Sequence, residues 1–556
     1  MKQKTVKYLF HFFASFIFCS FLQGSQKPRF VVVIVIDQFA YELSTRYRSE
    51  WTGGLRTLFN EGVVFAEAYH SHAATETSPG HATLMSGRHP YRTGIVSNNW
   101  FSSDFKSVNS TDDDYATALY VPAGVKASSN GWFVGTSFGD WLVKHDPKAR
   151  LVTLGGKARS AIFMAGSSNP DVYWFEPFVG FTTSTSYRLE LPEWLREANK
   201  DWLKSIEQQE IIWSASKPKS STFSDRTYLL DGNYLGQKTI KTGLPKMIKQ
   251  DDAPLDRGFY QRFVATPFYD DLLLQYAKKI IEEEKLGQGD HLNILAVGLA
   301  ANDYIGHSYG TGGPEMRDQL LRLDRALGSF IKFLQSRDPN VAIVLSSDHG
   351  APDFSERLNE KKFISEREQG SIWLQAVNKR VRKELSKSEK NIVEPFLTIG
   401  GSPIDLYLNP MFLQGHTESR QDLMPKLLKI LKEAPHVLEV YTREEVIQAR
   451  PTPHKDPRTL TMVERFSLST NKERSGDIFV RFKPYITWGM GGSQHGTPEK
   501  YDRHVPLIFW GPWKHQVISD AVETVDLAPT LAHVLGIKPT ELVDGRVLTL
   551  LPKSKR

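Results

Sequence analysis

Three short hydrophobic segments, rich in β-branched residues, each end at or a few residues before an acidic side chain. They are Phe30–Ile36 before Asp37, Asn293–Leu299 before Asp303, and Val341–Leu345 before Asp348. Continuous apolar runs of this length predict strands buried on both faces, as in a parallel sheet. Ligands bind to such sheets beyond the carboxyl ends of the strands, which is where these acids fall. Val505–Trp510 is a fourth run of the same kind.

Helical patterns separate these runs. Leucines and isoleucines recur at helical spacing between residues 320 and 334, and again between residues 272 and 280. Alternating strands and helices predict an α/β fold with a doubly wound, mostly parallel central sheet flanked by helices. The composition, 40% hydrophobic and 12% aromatic, supplies a large core and excludes general disorder. A net charge of +6 gives no reason to expect a nucleic-acid partner.

The first 24 residues have the pattern of an export signal. Lys2, Lys4 and Lys7 precede an apolar run over residues 8–22, which is short for a membrane span. We expect cleavage after Gly24, a periplasmic or secreted protein, and no membrane span after cleavage; a retained anchor is the alternative. Cys19 is the only cysteine, so a metal site in the mature chain must use oxygen and imidazole ligands.

The rest of the chain, residues 25–556, is predicted to be one catalytic domain with two long insertions. Residues from about 172 to 265 lack clear periodicity, and residues from about 350 to 494 have helix and strand signals of their own. Within the second segment, Ile404–Leu408 predicts a strand and Leu423–Leu431 predicts a helix. We expect both insertions to cap the active site at the sheet edge.

Six side chains near the predicted strand ends and in a late loop are candidate metal ligands: Asp37, Asp303, His307, Asp348, His349 and His495. They divide into two sets of three, and three protein ligands with one open position is the pattern of a catalytic zinc site. Mixed carboxylate and imidazole ligands favour zinc, with manganese and iron as alternatives. One such cluster alone is more often a polar turn.

Thr77 is the candidate nucleophile. Pro79 suits the first turn of a helix, which would place Thr77 just before a helix N-terminus, where backbone N–H groups attract anions. A threonine hydroxyl is a weak nucleophile unless it is activated, for example by a metal. The alternative is that Thr77 only caps the helix.

These motifs, in this order, resemble the alkaline phosphatase superfamily, and within it the bacterial secreted PafA-like zinc alkaline phosphatases with a threonine nucleophile. The motifs are Thr77-Ser-Pro-Gly-His81, Asp303-Tyr-Ile-Gly-His307, Asp348-His-Gly350 and His495-Gly-Thr-Pro498. The resemblance implies two zinc ions and a covalent phosphothreonine at Thr77. It assigns one zinc to Asp303, His307 and His495. It assigns the other to Asp37, Asp348 and His349, with Thr77 touching it.

The same resemblance assigns substrate contacts. Asn98 matches an asparagine that binds a phosphate oxygen, with Asn99 the weaker candidate. Lys157 and Arg159 match a cation pair that contacts the phosphoryl group, although Ala158 stands where the family often has an acid. We place the pair on a strand, where residues two apart share one face. Without the resemblance, a solvated basic pair is the favoured interpretation.

The predicted function is therefore hydrolysis of small-molecule phosphate monoesters by a secreted, metal-dependent alkaline phosphatase. Two cations suit a monoester, which carries nearly one more negative charge than a diester. A nucleotide pyrophosphatase or phosphodiesterase of the same superfamily is the alternative. Four other histidines have expected non-catalytic roles: His70, His72 and His89 in packing or at the surface, and His81 in shaping the nucleophile loop.

Overall fold

A computed structural model describes residues 27–167, 171–217, 225–230, 238–385, 396–400, 404–411 and 419–553. The expected signal, residues 1–24, and Cys19 lie outside the described residues. The strands are β1 Phe30–Ile36, β2 Val63–Tyr69, β3 Asn99–Phe101, β4 Ser107–Asn109, β5 Arg150–Gly155, β6 Val172–Glu176, β7 Gly180–Thr182, β8 Ile211–Trp213, β9 Arg226–Leu229, β10 Thr239–Thr242, β11 Lys246–Lys249, β12 Asn293–Leu299, β13 Ala342–Ser346, β14 Glu366–Glu368, β15 Leu397–Ile399, β16 Asp405–Leu408, β17 Val437–Thr442, β18 Ile478–Phe482, β19 Ile486–Trp488, β20 His504–Trp510 and β21 Gln516–Glu523.

The α-helices span Tyr41–Tyr47, Gly54–Glu61, Thr77–Ser86, Pro90–Thr93, Phe138–His145, Ala158–Ala165, Glu193–Glu207, Arg257–Val264, Pro267–Glu283, Ala301–Tyr309, Pro314–Arg337, Ser355–Glu360, Gly370–Leu385, Arg420–Lys432, Arg443–Gln448, Met462–Ser469, Lys500–Arg503 and Leu527–Leu535. Short 3₁₀ turns lie at Arg48–Glu50 and Thr524–Asp526. No helix among the described residues has both the length and the apolar character that crossing a membrane requires.

Nine strands form the central sheet, in the order β21-β2-β20-β13-β1-β12-β5-β6-β7. β1 runs parallel to both neighbours, and the parallel pairing continues through β12, β5 and β6. β20 is antiparallel to β13 and β2, and β7 is antiparallel to β6. The predicted mostly parallel α/β fold is confirmed.

The two faces of β1 explain why its sequence is a continuous apolar run. Val31, Val33 and Val35 pack into one hydrophobic cluster, while the residues between them pack into the cluster on the opposite face. Helices cover both faces, and every residue of β1 is buried. Alternation of polar and apolar residues is therefore absent, as expected for a central parallel strand.

The two segments expected as insertions have different relations to this sheet. The first begins inside it, because Val172–Glu176 and Gly180–Thr182 are strands β6 and β7. Residues 350–494 contribute a second, four-stranded sheet in the order β15-β16-β18-β17, with its own hydrophobic cluster. The predicted strand and helix of that segment are found as β16 and the helix Arg420–Lys432.

Candidate active site

The carboxyl ends of β1, β12 and β13 bring the acidic candidates together. Asp37 directly follows β1, Asp303 lies in the first turn of the helix after β12, and Asp348 lies two residues after β13. Because these three strands are parallel neighbours, their ends meet at one edge of the sheet. All three carboxylates are buried, with 1%, 2% and 0% exposure in that order.

One cluster of possible ligands consists of Asp37, Asp348 and His349. His349 Nε2 lies 3.4 Å from Asp37 Oδ1 and 3.6 Å from Asp348 Oδ2. Burial, followed by the charge of Asp348, raises the pKa of Asp37 well above its usual range. Two carboxylates and an imidazole thus converge on one small volume with excess negative charge, which a divalent cation would neutralise.

The second cluster surrounds Asp303. Asp303 Oδ1 lies 3.2 Å from His307 Nε2 and 3.6 Å from His495 Nε2. The His349 ring stacks on the His495 ring, with centroids 3.7 Å apart, so Asp303, His349 and His495 also form a compact group. The two clusters are therefore adjacent and share His349 at their boundary.

Hydrogen bonds orient the three imidazoles toward the carboxylates. Nδ1 of His307, His349 and His495 each donates to a backbone carbonyl, at 2.8, 3.1 and 2.8 Å. A carbonyl only accepts, so Nδ1 carries a proton in each ring, and Nε2 is the atom that faces the carboxylates. Burial lowers the pKa of His349 and of His495, which keeps both rings neutral.

The donor set fits a transition metal such as zinc. Asp37 Oδ1, Asp348 Oδ2 and His349 Nε2 are buried without a hydrogen-bond partner among the described residues. Buried polar atoms of this kind normally have a partner, so their convergence marks a place for a cation. Oxygen and imidazole donors with hydrogen bonds behind the rings are the chemistry expected of such a site.

Thr77 lies at the start of the helix Thr77–Ser86, and it is 1% exposed. The prediction placed Thr77 just before the helix, but the helix begins at Thr77 and Pro79 is its third residue; proline is tolerated there because first-turn N–H groups have no partner within the helix. The helix packs directly on the ligand loop, since a Cβ on Gly80 would lie 2.3 Å from the Asp348 carbonyl oxygen. His81 belongs to this packing: its Nδ1 lies 2.9 Å from the Thr77 carbonyl oxygen and 3.3 Å from Asp348 Oδ2.

Asn98 lies at the same helix N-terminus. Its Oδ1 accepts a hydrogen bond of 2.9 Å from the Ser78 N–H, and its own backbone N–H donates to the Glu76 carboxylate. Asn99 instead lies in the short hairpin β3–β4, where its Oδ1 accepts from Asn109. Of the two asparagines, Asn98 is therefore the one positioned beside Thr77.

Comparison with known proteins agrees with this geometry. The sequence pattern of the family described as type I phosphodiesterase / nucleotide pyrophosphatase matches residues 31–494. The chain belongs to this family. It is a member of the alkaline phosphatase superfamily and an enzyme of the alkaline phosphatase type, since its relatives carry that name over nearly their whole length.

Two curated relatives and one solved structure illustrate the similarity of this alkaline-phosphatase-type enzyme to known proteins. Alkaline phosphatase PhoK of Sphingomonas is 31% identical over 94% of this chain and 91% of the relative. Alkaline phosphatase PhoD of Zymomonas mobilis is 32% identical over 94% of this chain and 88% of the relative. The crystal structure of alkaline phosphatase PafA, at 24% identity, has a TM-score of 0.79 and covers 93% of this chain and 97% of that one.

The alkaline-phosphatase-type fold places Lys157 and Arg159 differently from the prediction. They do not lie on a strand: Lys157 is the residue before the helix Ala158–Ala165, and Arg159 is inside its first turn. The reason is the pair Gly155-Gly156, which ends β5 in a tight turn where a Cβ on Gly155 would lie 2.7 Å from the backbone of the following helix. Both cations nevertheless line one cavity.

Lys157 lies at the centre of the constellation. Its Nζ is 2.6 Å from Asp37 Oδ2, 2.6 Å from Asp303 Oδ2 and 3.4 Å from Thr77 Oγ1. Burial opposes its charge, but Asp303 and Asp37 outweigh burial and raise the pKa of Lys157 above its usual range. One buried ammonium thus contacts a carboxylate from each ligand cluster and lies within reach of the candidate nucleophile.

Gln38 is a buried polar residue at the site that sequence reasoning missed. Its backbone N–H donates to Asp348 Oδ1 at 3.1 Å, and its side-chain amide donates to Asp303 Oδ1 at 2.7 Å. The backbone at Gln38 has a φ of 61°, a left-handed conformation that is rare for this residue type. Asn302 supports the turn by donating to the carbonyls of Asp37 and Gln38. The only available sequence signal is that both residues adjoin a candidate ligand.

The other three histidines near the nucleophile segment lie in the interior of the protein. His70, His72 and His89 are all buried, which selects packing over the surface role. Nε2 of His70 donates to the backbone carbonyl of Ser347 at 2.9 Å. Nδ1 of the same ring therefore accepts from the Thr524 hydroxyl, also at 2.9 Å. His70 therefore supports the loop that carries Asp348 without facing the ligand clusters.

Proposed function

We propose that this protein is a zinc-dependent phosphomonoesterase that transfers the phosphoryl group of its substrate first to Thr77 and then to water. The observation that carries the proposal is the position of Lys157, buried between both ligand clusters and 3.4 Å from Thr77 Oγ1. A phosphate monoester carries about one more negative charge than a diester at alkaline pH. A buried cation beside the nucleophile, with Arg159 on the same cavity wall, favours the more highly charged substrate.

Two zinc ions are part of the proposal. Asp37, Asp348 and His349 would hold one ion, and Asp303, His307 and His495 would hold the other, as the resemblance to this superfamily assigns. Bound in this place, such ions act as Lewis acids toward phosphoryl and nucleophile oxygens. What supports them is the donor set: imidazoles with Nε2 facing the site, and buried carboxylate oxygens without hydrogen-bond partners among the described residues.

The reaction proposed for the chain has two steps. Thr77 Oγ1 loses its proton and bonds to phosphorus while the bond from phosphorus to the leaving-group oxygen breaks, and that oxygen takes up a proton to become an alcohol. Water then attacks the phosphothreonine, the bond to Thr77 Oγ1 breaks, and phosphate leaves as Thr77 regains a proton. Lys157, Arg159, Asn98 and the helix N-terminus would hold the phosphoryl oxygens through both steps.

The test is to compare p-nitrophenyl phosphate with bis-p-nitrophenyl phosphate on the purified protein. We expect kcat/KM to be higher for the monoester by more than tenfold, and activity to be lost on chelation and restored by zinc. A diester preference would favour the phosphodiesterase alternative and refute the proposal. Less than one bound transition metal per chain in a fully active preparation would refute the metal assignment.

The nucleophile needs its own pair of variants. Thr77→Val removes the hydroxyl and keeps the shape, and Thr83→Val is the matched control, because Thr83 lies in the same helix, is fully buried, and its hydroxyl has no partner among the described residues. Thr77→Val should lose the phospho-enzyme seen by mass spectrometry after acid quenching, and nearly all monoesterase activity. Equal activity in the two variants would exclude Thr77 as the nucleophile.

We also propose that the protein is exported to the periplasm or secreted. The support is the basic N-terminus followed by the apolar run over residues 8–22. N-terminal sequencing of the cell-free or periplasmic protein should begin near residue 25. A chain that begins at Met1 and remains with the cytoplasmic fraction would refute export.

A further inference from the structure

A cavity of about 470 Å³ opens beside Lys157 and Arg159. Its other walls come from the end of β6, from the first turns of the helix Arg257–Val264, and from the segment that begins at the end of β4. Under the proposed function, on which this inference rests, the phosphoryl group lies against Lys157 and Arg159. The leaving group of the ester then projects into the cavity, whose lining decides which alcohols are accepted.

Glu176 is the acidic side chain of this cavity that lacks a cationic partner. It is the last residue of β6 and is partly buried. Burial raises the pKa of Glu176 to about 7, and no hydrogen bond or cation among the described residues opposes that shift. An ionised carboxylate at alkaline pH, partly shielded from water and without a donor, is a strong acceptor for a substrate group.

Among the described residues, three of the four cations that line the cavity have other partners, since Arg159 and Lys157 face the phosphoryl group under the proposed function. Lys157 contacts Asp37 and Asp303, and Lys126 pairs with Asp112 at 3.1 Å. Arg257 is exposed at the rim. A second anionic group on the leaving group would meet Arg257 but also the unpaired carboxylate of Glu176, so the balance of charge does not favour it.

The rest of the lining is neutral. Ser128 and Gln261 supply a hydroxyl and an amide that both donate and accept hydrogen bonds. The partly exposed ring of Tyr304 supplies flat apolar surface. A carboxylate, neutral hydrogen-bonding groups and an aromatic face together match a leaving group that carries several hydroxyls on a carbon frame.

We infer that Glu176 is a specificity-determining residue that accepts a hydrogen bond from a leaving-group hydroxyl, so that phosphate esters of sugars and polyols are favoured over esters of simple alcohols. A site built to pair with a substrate hydroxyl discriminates against the analogue that lacks it, because a buried acceptor is then left unpaired. Glu176 touches the leaving group and not the phosphoryl group, so it changes discrimination between alcohols while the chemical steps are unchanged.

The test compares glycerol 1-phosphate with n-propyl phosphate, which have the same carbon number. Three variants are measured: Glu176→Gln, Glu176→Ala, and the control Glu193→Gln, which changes an exposed carboxylate outside the cavity. We expect the ratio of the two kcat/KM values to fall about tenfold in Glu176→Ala, mainly through a higher KM for glycerol 1-phosphate, and less in Glu176→Gln, which keeps a neutral acceptor. The ratio should be unchanged in Glu193→Gln.

Activity of the same variants on p-nitrophenyl phosphate separates the possible failures. Values within about twofold of wild type, with the lowered ratio, support the inference. An unchanged ratio in Glu176→Ala overturns it, and so does an equal loss on all three substrates, which would make Glu176 structural. A wild-type protein without activity on p-nitrophenyl phosphate would overturn the proposed function itself. Fructose 1,6-bisphosphate tests for a second anionic group on the substrate. If Arg257→Ala selectively loses hydrolysis of this ester while Glu176→Ala hydrolyses it as the wild type does, the cavity recognises a second anion and the inference is overturned.

Discussion

Removing the side chain of Gln38 should weaken metal binding without removing any ligand. Gln38 donates to Asp303 Oδ1 at 2.7 Å and is completely buried. Bulk water therefore cannot take the place of the lost donor without a free-energy cost. A hydrogen bond to a charged acceptor contributes about 1.5–3 kcal/mol, and loss of a partner behind a metal ligand commonly costs 10- to 100-fold in affinity. We therefore expect Gln38→Ala to bind zinc about 10- to 100-fold more weakly.

Two further variants at this position separate the hydrogen bond from the backbone strain. The contact from the Gln38 backbone N–H to Asp348 is retained in every variant. The left-handed φ of 61° disfavours alanine as much as glutamine, whereas glycine adopts it freely. Gln38→Gly should thus lose as much metal affinity as Gln38→Ala. Its metal-free form should unfold at a urea concentration no lower than that of the metal-free wild type. Gln38→Glu also loses the donor to Asp303 but adds a negative charge that attracts the cation, so it should bind metal more tightly than Gln38→Ala.

The assay is competition with a chromogenic chelator, followed by urea unfolding of the metal-free proteins. A release midpoint for Gln38→Ala within about twofold of wild type would refute the reasoning, because the hydrogen bond would then have no influence on Asp303 as a ligand. A loss of affinity that tracks the loss of metal-free stability across all three variants would also refute it. Such a result would make Gln38 important for the fold alone.

Other predictions follow from single contacts. Arg159→Ala should lower kcat/KM for the monoester about 10-fold more than for the diester, measured on the two p-nitrophenyl substrates; equal losses would contradict charge recognition. Lys157→Ala should lower monoesterase activity but not metal content, measured by elemental analysis, because the ammonium that contacts a carboxylate of each cluster competes with a metal cation for those oxygens; a lower metal content would contradict this. Gly80→Ala should destabilise the fold by about 2 kcal/mol or more in urea unfolding, since the new Cβ would lie 2.3 Å from the Asp348 carbonyl oxygen; unchanged stability would contradict the packing. Burial raises the pKa of Asp405 to about 7, so the folded state keeps a proton that the unfolded state loses, and the stabilising contribution of Asp405 is lost as pH rises from about 4 to about 7; urea unfolding should show a smaller loss of stability over that range in Asp405→Asn than in the wild type.

The central strands could be predicted because burial on both faces leaves a distinct sequence signal. Phe30–Ile36 and Asn293–Leu299 are strands with the predicted bounds, and the acids that follow them lie at one sheet edge. Strand direction has no such signal: His504–Trp510 has the same apolar character but runs antiparallel to both of its neighbours. Hydrophobicity reports burial, and the direction of a strand depends on the connections around it.

The parts of the site that could not be predicted depend on backbone geometry rather than on residue pattern. Lys157 and Arg159 have a spacing that suits one face of a strand, yet the turn at Gly155-Gly156 starts a helix there. Both side chains still line one cavity, because a helix start at a strand end points its first residues over the sheet edge. The left-handed turn at Gln38 leaves no trace in composition or periodicity, since its cause is a set of contacts with Asp303, Asp348 and Asn302.

Thr77, the proposed nucleophile, and the loops that carry the candidate ligands are held together by contacts of one short segment. The Thr75 carbonyl accepts from His495 Nδ1 at 2.8 Å, the Thr75 hydroxyl donates to the Thr497 carbonyl at 2.8 Å, and His81 lies between Thr77 and Asp348. The contacts of residues 75–81 therefore determine the distance from Thr77 to the ligand clusters. The walls of the leaving-group cavity come from other parts of the chain, including Glu176 and the helix Arg257–Val264. Under the proposed function, changes in these walls can alter the accepted alcohol while the phosphoryl-transfer centre keeps its geometry.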